Sequence, residues 1–415
     1  MPGDRIGGAP DSVVILGAGH AGSQLAVALR DKGFTGGITL VNGEAEAPYQ
    51  RPPLSKAYMA NGQGDALWFL KPESYVAKDI RLVAGPAISV DRADRSVTLA
   101  DGTSVGYGHL VFATGTRNRP LPGPWADRGV RTLKTLRDAT ALRAMLDQTR
   151  SLAIIGGGFI GLELAAYANR RGIDVDIVER GPRLMARAVS EPISEHFLAQ
   201  HRAAGIRVHL DTGVASLDRV GRLTRLTLDG DSHVEADLVI AAIGVTAETS
   251  LAQAAGLAVE DGILVDEQLR TEDPAISAIG DCARFPSAHA DAPLRLESVQ
   301  NANDHARLVA GRLTGTPATY DALPWFWSDQ GADKLQIAGL PGAADRRVRR
   351  GTAESGRFTV FSFRDGRLFA AESVNMPADH MVARRLIASG GIVDADALAT
   401  PENALKTFLQ HRQDA

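Results

Sequence analysis

Cysteine is almost missing from this chain, and that scarcity narrows its chemistry. Cys282 is the single thiol in 415 residues. One cysteine cannot close a disulfide within the chain, nor form a CxxC or CxxxxC redox pair, so disulfide reduction through a resident dithiol is excluded. The ten histidines show no metal-ligand spacing with cysteine or acids, and no structural metal is expected. Long apolar runs are lacking too: none approaches the roughly 20 residues of a membrane helix. The opening MPGDRIGGAPDS has no apolar core of the kind a signal peptide carries, so the expectation is a cytoplasmic protein with a short frayed N-terminus. Charge of one sign is not in excess. A net charge of −4 makes no electrostatic case for nucleic acid or an anionic membrane. The 44% hydrophobic and 23% charged fractions are those of an ordinary globular protein, and the length suffices for two or three domains.

What is present is a pattern of glycines between apolar runs. Residues 152–179 read LAIIGGGFIGLELAAYANRRGIDVDIVE. An apolar run (152–155) reaches Gly156, Gly158 and Gly161, a helical pattern continues to Arg171, and a β-branched run (175–178) ends on Glu179. This is the order of a dinucleotide fold. The first glycine permits a tight turn, the second lets the backbone approach a pyrophosphate, and the third lets helix and strand pack closely. The phosphates then lie over a helix N-terminus, where free N–H groups and the dipole favour negative charge. A structural glycine turn in another α/β domain is the plainer alternative, but the flanking strand, helix and terminal acid are all in place. The stretch is also a repeat. Near the start, residues 13–16 lead to Gly17, Gly19 and Gly22, a helix to Lys32, a strand at 38–41, and Glu44. Two fingerprints imply two nucleotide sites, and a chain holding two nucleotides most simply passes electrons between them.

Between and after the fingerprints the chain carries further signals. PYQRPPLSK (48–56) is stiffened by two prolines, which makes sense if Arg51 and Lys56 are held at a site; a plain loop leading into a helix capped by Ser55 fits equally. Strands alternate over 80–99 with a turn at 91–94. A buried strand at 110–113 ends at Thr114-Gly115, and 116–124 reads as a link to the second nucleotide domain. A helix (191–204) and β-rich segments (207–210, 224–228) follow. A strand at 237–243 then stops at Gly244, a second copy of the ATG pattern. The chain next rejoins the first domain. Strand 276–279 leads to Gly280-Asp281, where an acid is able to bind the hydroxylated chain of a flavin or simply to cap a helix. Another helix starts near Val299, with Ser298 as its N-cap and Gly311 and Gly315 near its end. If its positive end faces a flavin's pyrimidine edge, it stabilises the reduced ring. The last ninety or so residues change character. PWFWSDQ concentrates two of the four tryptophans, as core packing or as an aromatic lid at a redox site. Strands alternate over 334–340, 346–350, 358–364 and 367–374, with a helical end at 380–389. The run Arg346, Arg347, Arg349, Arg350 reads as a solvated strand edge before a docking patch.

The expected fold class is therefore α/β: two Rossmann-like dinucleotide-binding domains, arranged as in glutathione reductase, plus a C-terminal α+β domain. The expected boundaries are 1–116 and 247–323 for a discontinuous first nucleotide domain, 117–246 for the second, and 324–415 for the third.

With these pieces placed, the chain resembles the FAD-dependent, NADH-using ferredoxin reductases of bacterial cytochrome P450 and ring-hydroxylating dioxygenase systems. GAGHAG, PYQRPPLSK, ATGTRNRPLP, IGGGFIGLELA, AIGDCARF, RLESVQNAND and PWFWSDQ carry the resemblance, in order and across essentially the whole chain. It implies that the first fingerprint holds FAD, met by Gly17, Gly19, Ala21, Gly22, Glu44, Arg51, Lys56, Ala113, Thr114, Gly115, Lys134, Gly280, Asp281, Ser298 and Val299. It implies that the second holds NADH, met by Gly156, Gly158, Phe159, Ile160, Gly161, Glu163, Glu179, Arg187, Ile243 and Gly244. Lys56 and Glu163 would pair beside the flavin, Trp327 would lie near its ring system, and Arg307 would help dock the ferredoxin. A pair at about 4 Å in an effective dielectric of about 20 interacts by about 4 kcal/mol before desolvation. For Glu163 the plain alternative is a surface acid.

The chain departs from the family pattern in two places. Gly43 precedes a single acid, Glu44, where relatives often have two, and Lys134 stands where an Arg is frequent. Glu179 favours NADH over NADPH by repelling a 2′-phosphate, with Arg180 beside it pulling the other way. The function implied is electron transfer from NADH through FAD to a [2Fe-2S] ferredoxin, by a monomer or weak homodimer. A rubredoxin reductase or an NADH oxidase is the nearer alternative, and an apoptosis-inducing-factor-like interaction protein the more distant one.

Overall fold

Strand Ser12–Leu16 is SVVIL, and its four apolar side chains are buried to 2% exposure or less. A strand buried on both faces belongs at the centre of a covered parallel sheet, and that is its place in the computed structural model. The structure describes residues 10–410 apart from Pro124 and Gly391. The N-terminal stretch expected to fray (1–9), the final residue of the expected link at 124, and 411–415 lie outside the described residues.

Two compact units are formed. The first comprises the chain up to Arg51, Gln63–Arg117 and Val245–Ala322; the second comprises Pro52–Gly62, Asn118–Gly244 and Leu323–Ala415. In the first unit five parallel strands run in the order Ile276–Ala278, His109–Phe112, Ser12–Leu16, Gly37–Asn42, Ile80–Ala84. Chain reversals between neighbouring parallel strands need crossovers, and helix His20–Asp31 supplies the first. A small antiparallel sheet, Ala87–Asp91, Ser96–Leu99 and Ser104–Gly106, follows. Its first turn is made where Asp91 Oδ1 accepts the N–H groups of Ala93 and Asp94.

The second unit repeats the plan. Its parallel strands run Arg207–His209, Asp174–Val178, Ser151–Ile155, Leu238–Ala241, and Val214–Val220, Leu223–Leu228 and His233–Ala236 form the matching antiparallel sheet. The same unit holds a five-stranded antiparallel sheet in the order Trp325–Gln330, Asp333–Gly339, Arg367–Val374, Arg357–Arg364, Arg346–Thr352. Helix Pro377–Ala388 lays Val382, Ala383, Leu386 and Ile387 into a core with Phe361, Phe363 and Leu368.

Arg346–Thr352 is an edge strand of that sheet, as an arginine-rich strand should be. One of its arginines is not solvated. Arg350 is 9% exposed and donates to the carbonyls of Leu398, Thr400, Pro401 and Asn403, fastening the C-terminal segment to the sheet. The reading of the whole run as a solvated edge is corrected there: a fork of donors meets a ring of carbonyls that would otherwise be left unpaired.

Candidate functional site

The two glycine turns are built alike. Gly17 has φ +107°, and a Cβ on it would stand 2.3 Å from the Ala113 carbonyl oxygen; Gly156 has φ +109°, and its Cβ would stand 2.4 Å from that of Ala242. Each strand end therefore passes directly beneath its fingerprint, which is the physical content of the repeated ATG and AIG segments. A Cβ on Gly22 would meet Gly17 O at 1.9 Å, and one on Gly161 would meet Gly156 O at 2.4 Å, so helix and turn touch backbone to backbone. The middle glycines differ. A Cβ on Gly19 or Gly158 would meet nothing within 4 Å. Each of these residues is the N-cap of a twelve-residue helix with no side-chain cap and no acid in the first turn. Open space over uncapped N–H groups fits a dinucleotide pyrophosphate, twice.

Ala113 and Thr114 pack against Gly17, and Glu44 and Arg51 bind one another. Gly280 (φ +70°) would bring a Cβ to 2.9 Å from Cβ of Ala21, so these two are a close packing pair. Thr114 Oγ1 donates to the Glu248 carbonyl, and Gly115 has φ +66°. Ser298 caps helix Val299–Leu313 by accepting the Asn301 N–H at 3.1 Å. The Asp281 carbonyl accepts from Arg295. Glu44 is tied up: it accepts from the Tyr49 hydroxyl at 2.6 Å and pairs with the Arg51 guanidinium. Burial opposes the Arg51 charge, but Tyr49, Glu44 and Asp281 outweigh it and hold the guanidinium above its ordinary range. Arg307 is exposed and bonded to Asp304 one turn earlier.

Within the second unit, Glu179 accepts the Gly157 N–H with one oxygen (2.6 Å) and the Gly181 N–H with the other (2.7 Å). Arg187 is exposed and its Nη2 lies 3.5 Å from a Cβ placed on Gly244, next to Ile243. Ile160 is 44% exposed at the start of its helix, and the Phe159 ring packs on Phe326 at 4.7 Å. Lys134 precedes helix Leu136–Leu146, whose Thr135–Asp138 capping box also takes the Lys134 N–H.

A buried polar cluster of this unit centres on Glu163. It is 5% exposed, so the reading as a surface acid is wrong. Oε2 accepts from Lys56 Nζ and from Ser55 Oγ, both at 2.6 Å, and Oε1 accepts from Ser328 Oγ at 2.7 Å. Three donors on one buried carboxylate offset its desolvation, and a charge-assisted bond is roughly twice as strong as a neutral one. Ser55 does not cap the helix Ala57–Asn61; that N-cap is Lys56, without a side-chain bond. The reason is its partner, 108 residues away in sequence, which no local pattern could announce. The Lys56 segment is anchored by Met59, whose carbonyl accepts from Tyr167 Oη and Arg143 Nε. Lys56, Glu163, Tyr167, Arg170 and Asp329 line an open cleft of about 390 Å³. Trp327 lies on the opposite face of its strand from Ser328, its ring 5.7 Å from that of Trp325 and tilted to it by 31°.

Against known proteins, residues 11–306 match the pyridine nucleotide-disulphide oxidoreductase family, and 325–409 match the reductase C-terminal domain. The chain belongs to the pyridine nucleotide-disulphide oxidoreductase family. Rhodocoxin reductase of Rhodococcus erythropolis is 46% identical over 97% of this chain and 95% of its own. The ferredoxin reductase for the CYP199A2 system from Rhodopseudomonas palustris superposes with a TM-score of 0.94 at 44% identity, covering 96% of this chain and 99% of that one. Putidaredoxin reductase, in its covalent complex with putidaredoxin, also gives 0.94, at 36% identity over 98% of this chain and all of that one. This family member has no dithiol of its own. Its one thiol, Cys282, is fully buried, and burial pushes it up from its ordinary value.

Three residues escaped the sequence reading. His20 opens the first fingerprint helix, its ring edge-on to Phe69 at 4.8 Å; burial and then Arg51 push it down to about 4, so it is neutral. Ser328 and Gln330 were hidden in WFWSDQ, although strand alternation puts them on the face opposite the tryptophans.

Proposed function

We propose that the protein is a flavoprotein reductase that takes electrons from NADH and delivers them to a [2Fe-2S] ferredoxin serving a cytochrome P450 or ring-hydroxylating dioxygenase. The duplicated glycine turn carries the reading, since each copy leaves open space above its middle glycine. The first unit holds FAD through Gly17, Gly19, Ala21, Gly22, Ala113, Thr114, Gly115, Gly280, Asp281, Ser298 and Val299. Arg51, neutralised in part by Glu44, adds positive charge on the phosphate side. The second unit holds NADH through Gly156, Gly158, Phe159, Ile160, Gly161, Ile243 and Gly244, with Arg187 at the rim. Bound FAD supplies the conversion of a two-electron donor's electrons into single-electron steps.

The remaining chemistry belongs to the chain's own side chains. Glu179 already takes two backbone amides, and its remaining lone pairs suit the two hydroxyls of a ribose; a 2′-phosphate there would meet a carboxylate. Lys56 presents an ammonium whose position Glu163 sets, and Glu163 itself is fixed by Ser55 and Ser328. Trp327 shields the redox site, and Arg307 offers a cation to an acidic ferredoxin. No side chain is required as a nucleophile. Use of NADH, a cytoplasmic reductant, supports a cytoplasmic location; among the described residues no helix is long and apolar enough to cross a membrane.

The test is an anaerobic spectral titration of the FAD-loaded protein with NADH and, separately, NADPH, followed by a [2Fe-2S] ferredoxin. Flavin bleaching by NADH, weaker bleaching by NADPH, and recovery as the ferredoxin is reduced are expected. Bleaching without recovery moves the acceptor elsewhere, and a protein that takes up no FAD overturns the reading.

A further inference from the structure

Glu163 is met on its Oε1 side by a chain of hydrogen bonds whose direction is set by a methionine. In the strand Trp325–Gln330, side chains alternate between faces, so Phe326, Ser328 and Gln330 share one face and Trp325 and Trp327 take the other. Ser328 is fully buried and its Oγ donates to Glu163 Oε1. Two residues on, Gln330 is 4% exposed, with Nε2 at 3.3 Å from Met185 Sδ and 3.4 Å from Ser328 Oγ, and Oε1 at 3.1 Å from His201 Nε2.

A thioether sulfur has no proton to give, so the amide edge that faces Met185 is the NH2 group. The Gln330 carbonyl then faces His201, which must donate from Nε2. Burial keeps His201 below its ordinary value and neutral, against the raising effects of Gln330 and Asp333, so the Nε2–H tautomer is the one required. The Gln330 amide in turn donates to Ser328 Oγ, which leaves the serine proton for Glu163. Every donor points the same way, from His201 through Gln330 and Ser328 to Glu163. Met185, His201, Gln330, Ser328 and Glu163 are each 5% exposed or less, and in such low-dielectric surroundings aligned hydrogen bonds strengthen one another.

We propose that Ser328 and Gln330 are positioning residues for hydride donation by NADH: the directed chain locks the Glu163 carboxylate in the orientation that presents Lys56 to the reacting site. The inference rests on the NADH-oxidising reading given above.

Anaerobic stopped-flow reduction of the FAD-loaded full chain by NADH, giving the limiting rate and the half-saturating NADH concentration separately, tests it. Ser328→Ala is expected to lower the limiting rate about tenfold or more, as loss of a hydrogen bond to a charged group implies, with half-saturation nearly unchanged and the melting temperature lowered, since Glu163 Oε1 loses its donor. Gln330→Met is expected to lower the limiting rate in the wild-type background and to add nothing in the Ser328→Ala background, because it acts through Ser328. In protein carrying ¹⁵N-labelled histidine, His201 is expected as the neutral Nε2–H tautomer at neutral pH. An unchanged limiting rate in Ser328→Ala, a full further loss on adding Gln330→Met to it, or an Nδ1–H tautomer at His201 each overturns the inference. Wild-type protein that NADH fails to reduce overturns the functional reading, and the inference with it.

Discussion

Glu372 accepts the backbone N–H of Ser190 at 2.8 Å, a bond between residues 182 positions apart that ties a central strand of the C-terminal sheet to the start of helix Glu191–Ala203. The carboxyl is fully buried, and burial pushes it up to about 7 from an ordinary 4.5, against the pull of the Ser190 amide and of Arg347 and Arg183. A carboxyl raised in the folded state contributes stability that is complete below its unfolded value and lost as pH rises through the folded one. The window is therefore about pH 4.5 to 7, and the loss across it is about 3 kcal/mol at roughly 1.4 kcal/mol per unit. Glu372→Gln keeps an acceptor for the Ser190 N–H and cannot ionise. Urea unfolding at about pH 5 and about pH 8 should show the variant gaining on the wild type by that amount as pH rises. Parallel behaviour of the two proteins would remove Glu372 as the cause.

The Lys56–Glu163 pair makes a separate prediction. Lys56→Met removes the ammonium but leaves Glu163 two serine donors, so the fold should survive. The limiting rate of flavin reduction by NADH should fall by about one to two orders of magnitude, the scale of a lost charge-assisted hydrogen bond. Half-saturating NADH should move much less. A variant that shifts only half-saturation would make Lys56 a binding residue and nothing more.

The parts of this molecule legible in its sequence are those whose partners lie close by in the chain. Strand, glycine turn, helix and terminal acid are local, so both fingerprints and the Ser298 cap can be read from spacing. Side chains satisfied at long range are not. Ser55 looks like a helix cap because its partner, Glu163, lies 108 residues on. Arg350 looks solvated because the carbonyls it binds lie about fifty residues later. Glu44 is legible as a contact of FAD but not as the acceptor of Tyr49 and Arg51, five and seven residues on, because that contact needs the loop to fold back around Pro48. Ser328 and Gln330 were within reach, since period-two alternation in WFWSDQ separates them from the tryptophans.

Glu179 carries two roles that substitution should separate. Its carboxylate oxygens take the N–H groups of Gly157 and Gly181, and in the function proposed above its charge repels a 2′-phosphate. Glu179→Gln retains one acceptor and loses the charge, so preference for NADH over NADPH should shrink by about tenfold, while stability falls less than in an alanine variant because only one of the two amides loses its acceptor. Glu179→Ala leaves both amides without their acceptor and should also cost about 1–3 kcal/mol of stability. Initial rates with the two nucleotides, set beside melts of each variant, distinguish these outcomes. An unchanged nucleotide preference in both variants would take the discrimination away from Glu179.

The glycines of the second turn should split between folding and binding. Gly156→Ala forces a Cβ to 2.4 Å from the Ala242 carbonyl oxygen at φ +109°, a clash with backbone that cannot relax cheaply, so the chain should fold poorly. Gly158→Ala adds a methyl group into open space at a helix N-cap with φ −85°. The cap change should cost at most about 1 kcal/mol, and FAD should still load, because the first turn is untouched. NADH affinity should nonetheless collapse, since the methyl group occupies the space where a pyrophosphate would approach the backbone. Equilibrium binding of NAD⁺ to the FAD-loaded variant, set against its melting temperature, measures both. Tight binding by Gly158→Ala would place the pyrophosphate away from this helix, and with it the NADH site.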